Sequence, residues 1–231
     1  MKKLISLLLV ASVGTALIGG CSNNAADNSV SETEQTTSAE VLLGAAGQAS
    51  TDTSEWAMTD DRQALFDAAT DGLLGADYEA VLCLGVPESN PLGTVFLCRT
   101  TYVTPDADPF WTFVTVQDVG SSVTVEDVKA IQYARSTTSA DLYLADEPDE
   151  VIIGGWASTE DIEIPSEVLD AFNEVFGEEL SGAVPCALLA TQVINGTNYC
   201  ILVNDAGQWK CAFLSVTPSG NFPLTVANIA L

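Results

Sequence analysis

The chain aligns with itself, and that repeat limits its fold more tightly than any single motif. At an offset of 103, Asp67-Ala68 falls on Asp170-Ala171, Ala80-Val81 on Ala183-Val184, Cys83 on Cys186 and Gly93-Thr94 on Gly196-Thr197. No gap is needed over residues 64–100. After a five-residue deletion, an offset of 98 brings Trp111 onto Trp209, Val128 onto Val226 and Ile131 onto Ile229. Upstream, Glu40-Val41-Leu42-Leu43-Gly44 matches Glu150-Val151-Ile152-Ile153-Gly154. The matches are collinear, so whatever supersecondary unit one copy forms, the other is expected to form as well. The pattern predicts tandem domains over residues 40–135 and 150–231, each folding alone, joined by an acidic, Ser/Thr-bearing linker at 136–149.

Each copy carries the same order of elements. A short apolar extended piece (41–43, 151–153) precedes a helical pattern. In the second copy Pro165-Ser166 marks the helix start, and Val168, Leu169, Phe172, Phe176 and Leu180 recur at helical spacing. In the first, Asp60 and Gln63 form a candidate capping box ahead of Leu65, Phe66, Ala69, Leu73 and Leu74. Four strand-like runs follow: 81–86, 94–103, 110–116 and 128–135 in the first copy, and 184–190, 197–203, 209–216 and 224–231 in the second. One helix followed by an antiparallel meander predicts an α+β fold, with the helix covering one face of the sheet.

The connection between the first two runs of the second copy reads Gln192-Val193-Ile194-Asn195-Gly196-Thr197-Asn198-Tyr199. It is a tight, Gly-containing hairpin signal. Hairpin tips are usually polar, yet this one carries two β-branched apolar residues, and a partner's cleft is one place for them to go. The run resembles the Gln-Val-Val-Ala-Gly-Thr-Asn-Tyr signature of cystatins, protein inhibitors of papain-like cysteine proteases. The element order is also similar to that of the small stefin type, a helix wrapped by an antiparallel sheet. The resemblance implies two tandem cystatin-like domains, the second inhibitory and the first degenerate. It further implies a wedge of three segments that plugs the protease cleft. Gly154 and Gly155 would let an N-terminal trunk lie close to the protease, Gln192, Val193, Ile194, Asn195 and Gly196 would form the first contact loop, and Thr217 and Pro218 the second. Asn195 stands where the family usually has Ala, and no Trp follows Pro218. The matching tip of the first copy, Ser89-Asn90-Pro91-Leu92-Gly93, lacks the Gln-Val pair.

Lys2 and Lys3, an apolar run over 4–18 and Ile18-Gly19-Gly20-Cys21 describe an export signal ending in a lipobox-like junction. This predicts removal of residues 1–20, lipidation of Cys21, a disordered tether over 21–39 and attachment at a bacterial cell surface. The site would be the outer face of the cytoplasmic membrane, or the outer membrane of a Gram-negative cell. An ordinary signal peptide cut elsewhere is the alternative. Loss of Lys2 and Lys3 leaves 5 basic against 32 acidic residues, a net charge of −27. Such a field disfavours nucleic acid and anionic head groups as partners. The chain has no histidine, which excludes Ser-His-Asp and Cys-His catalysis and the commonest zinc sites. No cofactor or metal is expected, and acidic residues in such a chain are read as solvated rather than as paired glycosidase carboxylates.

Five cysteines remain beyond Cys21: Cys83, Cys98, Cys186, Cys200 and Cys211. An odd number leaves at least one thiol free, and buried free cysteine is the plainer reading for most of them. Trp111 and Trp209 take equivalent strand starts. Trp156 follows the presumed trunk, where it is either a contact anchor or part of its own domain's packing. The leading expectation is a non-enzymatic, reversible inhibitor of papain-like cysteine proteases. The alternative is a non-inhibitory surface binding or adhesion module on the same fold.

Overall fold

Two helices and ten strands are described in a computed structural model that covers residues 53–87, 89–133, 141–147 and 155–231. Helix α1 (Asp60–Thr70) is followed by β1 (Ala76–Gly85), β2 (Gly93–Tyr102), β3 (Phe110–Asp118), β4 (Val123–Tyr133) and β5 (Leu142–Ala145). The C-terminal half has β6 (Ala157–Ser158), helix α2 (Ser166–Phe176), β7 (Val184–Ile194), β8 (Gly196–Asp205), β9 (Gln208–Thr217) and β10 (Gly220–Asn228). Both sheets are antiparallel meanders, ordered β1-β2-β3-β4-β5 and β10-β9-β8-β7-β6. The stretch read as a linker contributes β5, which pairs with the outer edge of β4 from Ala130↔Ala145 to Tyr133↔Leu142. The apolar pieces 41–43 and 151–153 lie outside the described residues, as do residues 1–39 with Cys21.

The residue pattern of the central strands decides the layering. On β2, Val95, Phe96, Leu97 and Cys98 are all buried, and on β8 so are Cys200, Ile201, Leu202 and Val203. Side chains alternate across a strand, so a run with no polar member must be covered on both faces. Val95 and Leu97 join Cys200 and Leu202 in one core shared by the two sheets. Phe96 and Cys98 pack instead with Phe66 and Ala69 of α1, and Ile201 and Val203 with Val168, Ala171, Phe172 and Phe176 of α2. The order of layers is therefore helix, sheet, sheet, helix, all within one compact unit, Gly44–Leu231.

The expected fold class, two α+β cystatin-like domains, is overturned. Strands make up 52% and helices 15% of the described residues, so the protein is nearly all sheet. The physical reason is size. Each helix has 11 residues, about 16 Å at the α-helical rise, too short to wrap a five-stranded sheet. It covers part of one face, and the second apolar face of each sheet is buried by the other sheet.

Local signals held in part: Leu73 and Leu74, expected on the apolar side of the first helix, lie beyond its end and are exposed. Helix α2 starts after Pro165 and buries Val168, Phe172 and Phe176 of the expected stripe, while Leu169 is half-buried and Leu180 is buried just beyond the helix end. Helix α1 is capped one residue earlier than the Asp60/Gln63 box: the Thr59 hydroxyl accepts from the Arg62 amide at 3.3 Å, and Gln63 donates to Asp67 at 2.7 Å. The repeat recurs in the ladder irregularities. Bulges between Ala80/Leu82 and Cys83/Gly85 on β1 reappear between Pro185/Ala187 and Leu188/Ala190 on β7, 105 residues later. Structurally, Cys83 thus corresponds to Leu188 rather than to Cys186. The offset of 98 does hold for Trp111 and Trp209, which pair with Arg99 and Asn204.

Candidate functional site

The residues of the first hairpin lie at one end of the C-terminal sheet. Strand β7 runs on to Ile194 and the chain reverses about Asn195, with Val193 opposite Thr197 and Gln192 opposite Asn198. Strands β9 and β10 reverse at the same end, because Thr197 of β8 pairs with Val216 of β9. That second tip is held by Thr217, whose hydroxyl accepts from the Ser219 amide (3.2 Å) and donates to the Gly220 carbonyl (2.9 Å). Strand β6 lies on the far side of β7 through Ala157↔Thr191. Continuing that register puts Gly155 level with Val193. The two hairpin tips stand side by side, Gly155 lies two residues ahead of β6 on the far side of β7, and Gly154 lies outside the described residues.

The side chains divide into anchors and tips. Val193 is 72% and Ile194 49% exposed, and Asn195 and Pro218 are also exposed. Gln192 is buried, and its Oε1 accepts from Asn198 Nδ2 at 2.9 Å. Gly196 has a φ of +110°, and a Cβ there would sit 2.2 Å from the Val216 carbonyl oxygen. Any side chain at 196 would push the two hairpins apart, so this glycine sets their spacing. Asn198 was not singled out from the sequence. Its cross-strand position opposite Gln192 is the signal that identifies it.

Trp156 is buried, in a T-shaped contact with Phe213 at 5.3 Å and stacked on Tyr133 at 5.9 Å. It belongs to the packing of this protein and offers no exposed anchor. All five described cysteines are free and buried. Burial pushes the Cys186 thiol up to about 12 and raises those of Cys98 and Cys200 well above their ordinary value. Thiols held protonated in this way are poor nucleophiles. Among the described residues no group of three His, Cys, Asp or Glu side chains is arranged to hold a metal ion, and no helix is long and apolar enough to cross a membrane.

No family model matches the chain, nor does any curated protein or solved structure. Its chemistry has to be read from its own surfaces.

Proposed function

We propose that the row of hairpin tips on the C-terminal sheet docks in the cleft of a partner protein, and that the partner is a papain-like cysteine protease occluded without chemistry. One observation carries this reading: two adjacent hairpin tips project together, the first with Val193 and Ile194 exposed while Gln192 and Gly196 fix its base. A rigid apolar tip loses little conformational entropy on binding, so desolvation of a few side chains dominates its affinity. The choice of protease rests on the Gln192–Gly196 motif alone, since the fold-level part of the resemblance has fallen away. An export signal ending at Cys21 would place this activity at a bacterial cell surface, and a Cys21→Ala chain that still partitions with membranes would remove that part of the reading.

The test is titration of papain with the protein and with a Val193→Ser/Ile194→Ser double variant. Each lost side chain is worth about 1.5–3 kcal/mol by area, so affinity should fall by about two orders of magnitude or more. Gly155→Glu should weaken binding separately, by adding bulk and charge beside the tip. Absence of papain inhibition by the parent would eliminate the inhibitor reading. The buried Trp156 favours a second reading, a binding module for another protein, because it withholds the aromatic anchor a protease contact would use. Retention of a non-protease partner that the double variant loses would support that reading.

A further inference from the structure

The two halves seal the outer edge of their first long strand differently, and the difference leaves a groove. Both halves enter through the same dipeptide, Trp56-Ala57 and Trp156-Ala157. In the C-terminal half the nine residues 157–165 separate this entry from α2, and in the N-terminal half only the three residues 57–59 precede α1. The longer connection covers β7. Ala157 and Ser158 pair with Thr191 and Ala190, the Thr159 amide donates to the Leu189 carbonyl at 3.1 Å, and the Leu188 amide donates to the Ile162 carbonyl at 3.0 Å. Under the 105-residue offset fixed by the shared bulges, those four positions of β7 correspond to Val86, Gly85, Leu84 and Cys83. In the N-terminal half the entry reaches only Leu82, through the single bridge Ala57↔Leu82. Among the described residues nothing pairs with the outer edge of β1 beyond that point.

The uncovered edge lines a groove of about 660 Å³, closed on the other side by Trp209, Ile229 and Leu231. Leu84, Val95, Trp209 and Ile229 belong to the core between the sheets, so the groove floor continues that core to the surface. Val86 is 60% exposed at its rim, and among the described residues no charged side chain lines it. The Leu84 carbonyl already accepts from Trp209 Nε1 at 3.0 Å but retains a second lone pair. The C-terminal half shows what fits such a site: an extended backbone carrying small residues, with an aromatic ring entering the core.

We propose that residues 84–87 are a strand-accepting site for an extended, uncharged-to-apolar segment of a partner protein, added to β1 as residues 156–159 are added to β7. Backbone pairing would supply the affinity, and the groove would select small side chains beside one aromatic. The β8–β9 turn at this groove lies at the opposite end of the C-terminal sheet from Val193 and Ile194, so both surfaces can be occupied together.

The probe is a labelled, end-capped peptide of residues 155–159, Gly-Trp-Ala-Ser-Thr, added to the full chain and followed by fluorescence anisotropy. Saturable binding is expected, at least tenfold weaker with Val86→Asp and unchanged with the Val193→Ser/Ile194→Ser variant. Amide exchange at Leu84, Gly85 and Val86 should slow when the peptide is present. Absence of saturable binding, equal binding of a scrambled peptide, or binding without protection of those amides would each overturn the proposal. Concentration-dependent dimerisation that the peptide abolishes would also overturn it, by identifying the occupant as a second copy of the chain.

Discussion

The N-terminal and C-terminal halves share an order of elements, two ladder bulges and a buried phenylalanine at the same helical position, Phe66 and Phe172. They differ in where each spends extra chain. The N-terminal half adds β5 beside β4, and the corresponding edge strand of the other half, β10, has no such neighbour among the described residues. The C-terminal half adds β6 and residues 159–165 beside β7, and the corresponding edge of β1 stays open. Its first hairpin turns tightly about Asn195, while β1 and β2 are joined by a longer loop, residues 86–92. Packed layers are thus held in common, and the edges and tips have diverged. Edges and tips carry the backbone groups and apolar side chains still able to engage a partner.

The largest expected effect comes from breaking the shared core. Leu82, Leu84, Val95, Leu97, Trp111 and Phe113 of one sheet are buried with Cys200, Leu202, Trp209, Cys211 and Phe213 of the other. Separated halves should each expose an apolar sheet face. Fragments 53–147 and 155–231 are therefore expected to lack cooperative unfolding transitions alone and to regain one when co-refolded. A cooperative melt from either fragment alone, at the temperature of the full chain, would show that the halves are independent.

A smaller effect separates the helices. Phe66→Ala and Phe172→Ala each empty a site against a sheet and should cost about 3–5 kcal/mol. Helix α2 buries four residues and α1 only two. Loss of Phe66 should therefore let α1 open locally, with fast amide exchange confined to 60–70, whereas loss of Phe172 should lower stability throughout. Identical exchange patterns in the two variants would remove that distinction.

How much of this could be read in the sequence follows from which interactions are local. The helices, the long strands and the hairpin at Asn195 were legible because caps, spacing and turn residues act over a few positions. The burial of Gln192 was not legible, since it was expected in the contact loop and is instead held by Asn198 on the neighbouring strand, while Val193 and Ile194 beside it are exposed. The second coat on each sheet was not read, although Val95-Phe96-Leu97-Cys98 contains the signal, a run with no solvent-facing member. A single helix per copy matches the apolar surface of that copy taken alone, and only the two copies together reveal the second apolar face of each sheet. The offset of 103 misplaced Cys83 by two residues for a related reason: the cysteine match outweighed bulges that only the ladder reveals. Leu142–Ala145 was missed because a four-residue edge strand in an acidic stretch has little period to detect.

Alkaline pH should weaken both halves, and the C-terminal half more. Burial raises the Cys186 thiol from 9.0 to about 12, and it raises Cys200 in the same core and Cys98 in the other half. An unfolded thiol ionises near 9.0 while the folded one stays protonated. The stabilisation is therefore complete below pH 9 and is lost as pH rises from 9 towards 12. Each such group contributes up to about 1.4 kcal/mol per pH unit in that window. Denaturant midpoints at pH 8 and pH 10.5 should differ, and the difference should shrink in Cys186→Ala. Equal midpoints for the parent at both pH values would mean the thiols ionise in the folded state.

The smallest effect tests how the two halves hold one another through their paired tryptophans. Trp209 Nε1 donates directly to the Leu84 carbonyl at 3.0 Å, across the sheet interface. Its counterpart Trp111 donates to Thr159 Oγ1 at 3.2 Å, and that hydroxyl donates to the Leu188 carbonyl at 2.7 Å. The same reach from indole to carbonyl is made in one step on one side and through a hydroxyl on the other. Phenylalanine at either position keeps a ring but removes the donor. In Trp209→Phe the Leu84 carbonyl loses its indole partner in a buried place, costing about 1–3 kcal/mol. In Trp111→Phe the Leu188 carbonyl keeps the Thr159 hydroxyl, so the cost should be smaller, about 0.5–1.5 kcal/mol. Adding Thr159→Val to Trp111→Phe strips the second carbonyl of its hydroxyl partner and should bring the loss up to that of Trp209→Phe. Urea denaturation of the three variants measures the ordering. If Trp111→Phe proved as costly as Trp209→Phe, with no further loss on Thr159→Val, the hydroxyl would not be the relay that makes the two sides differ.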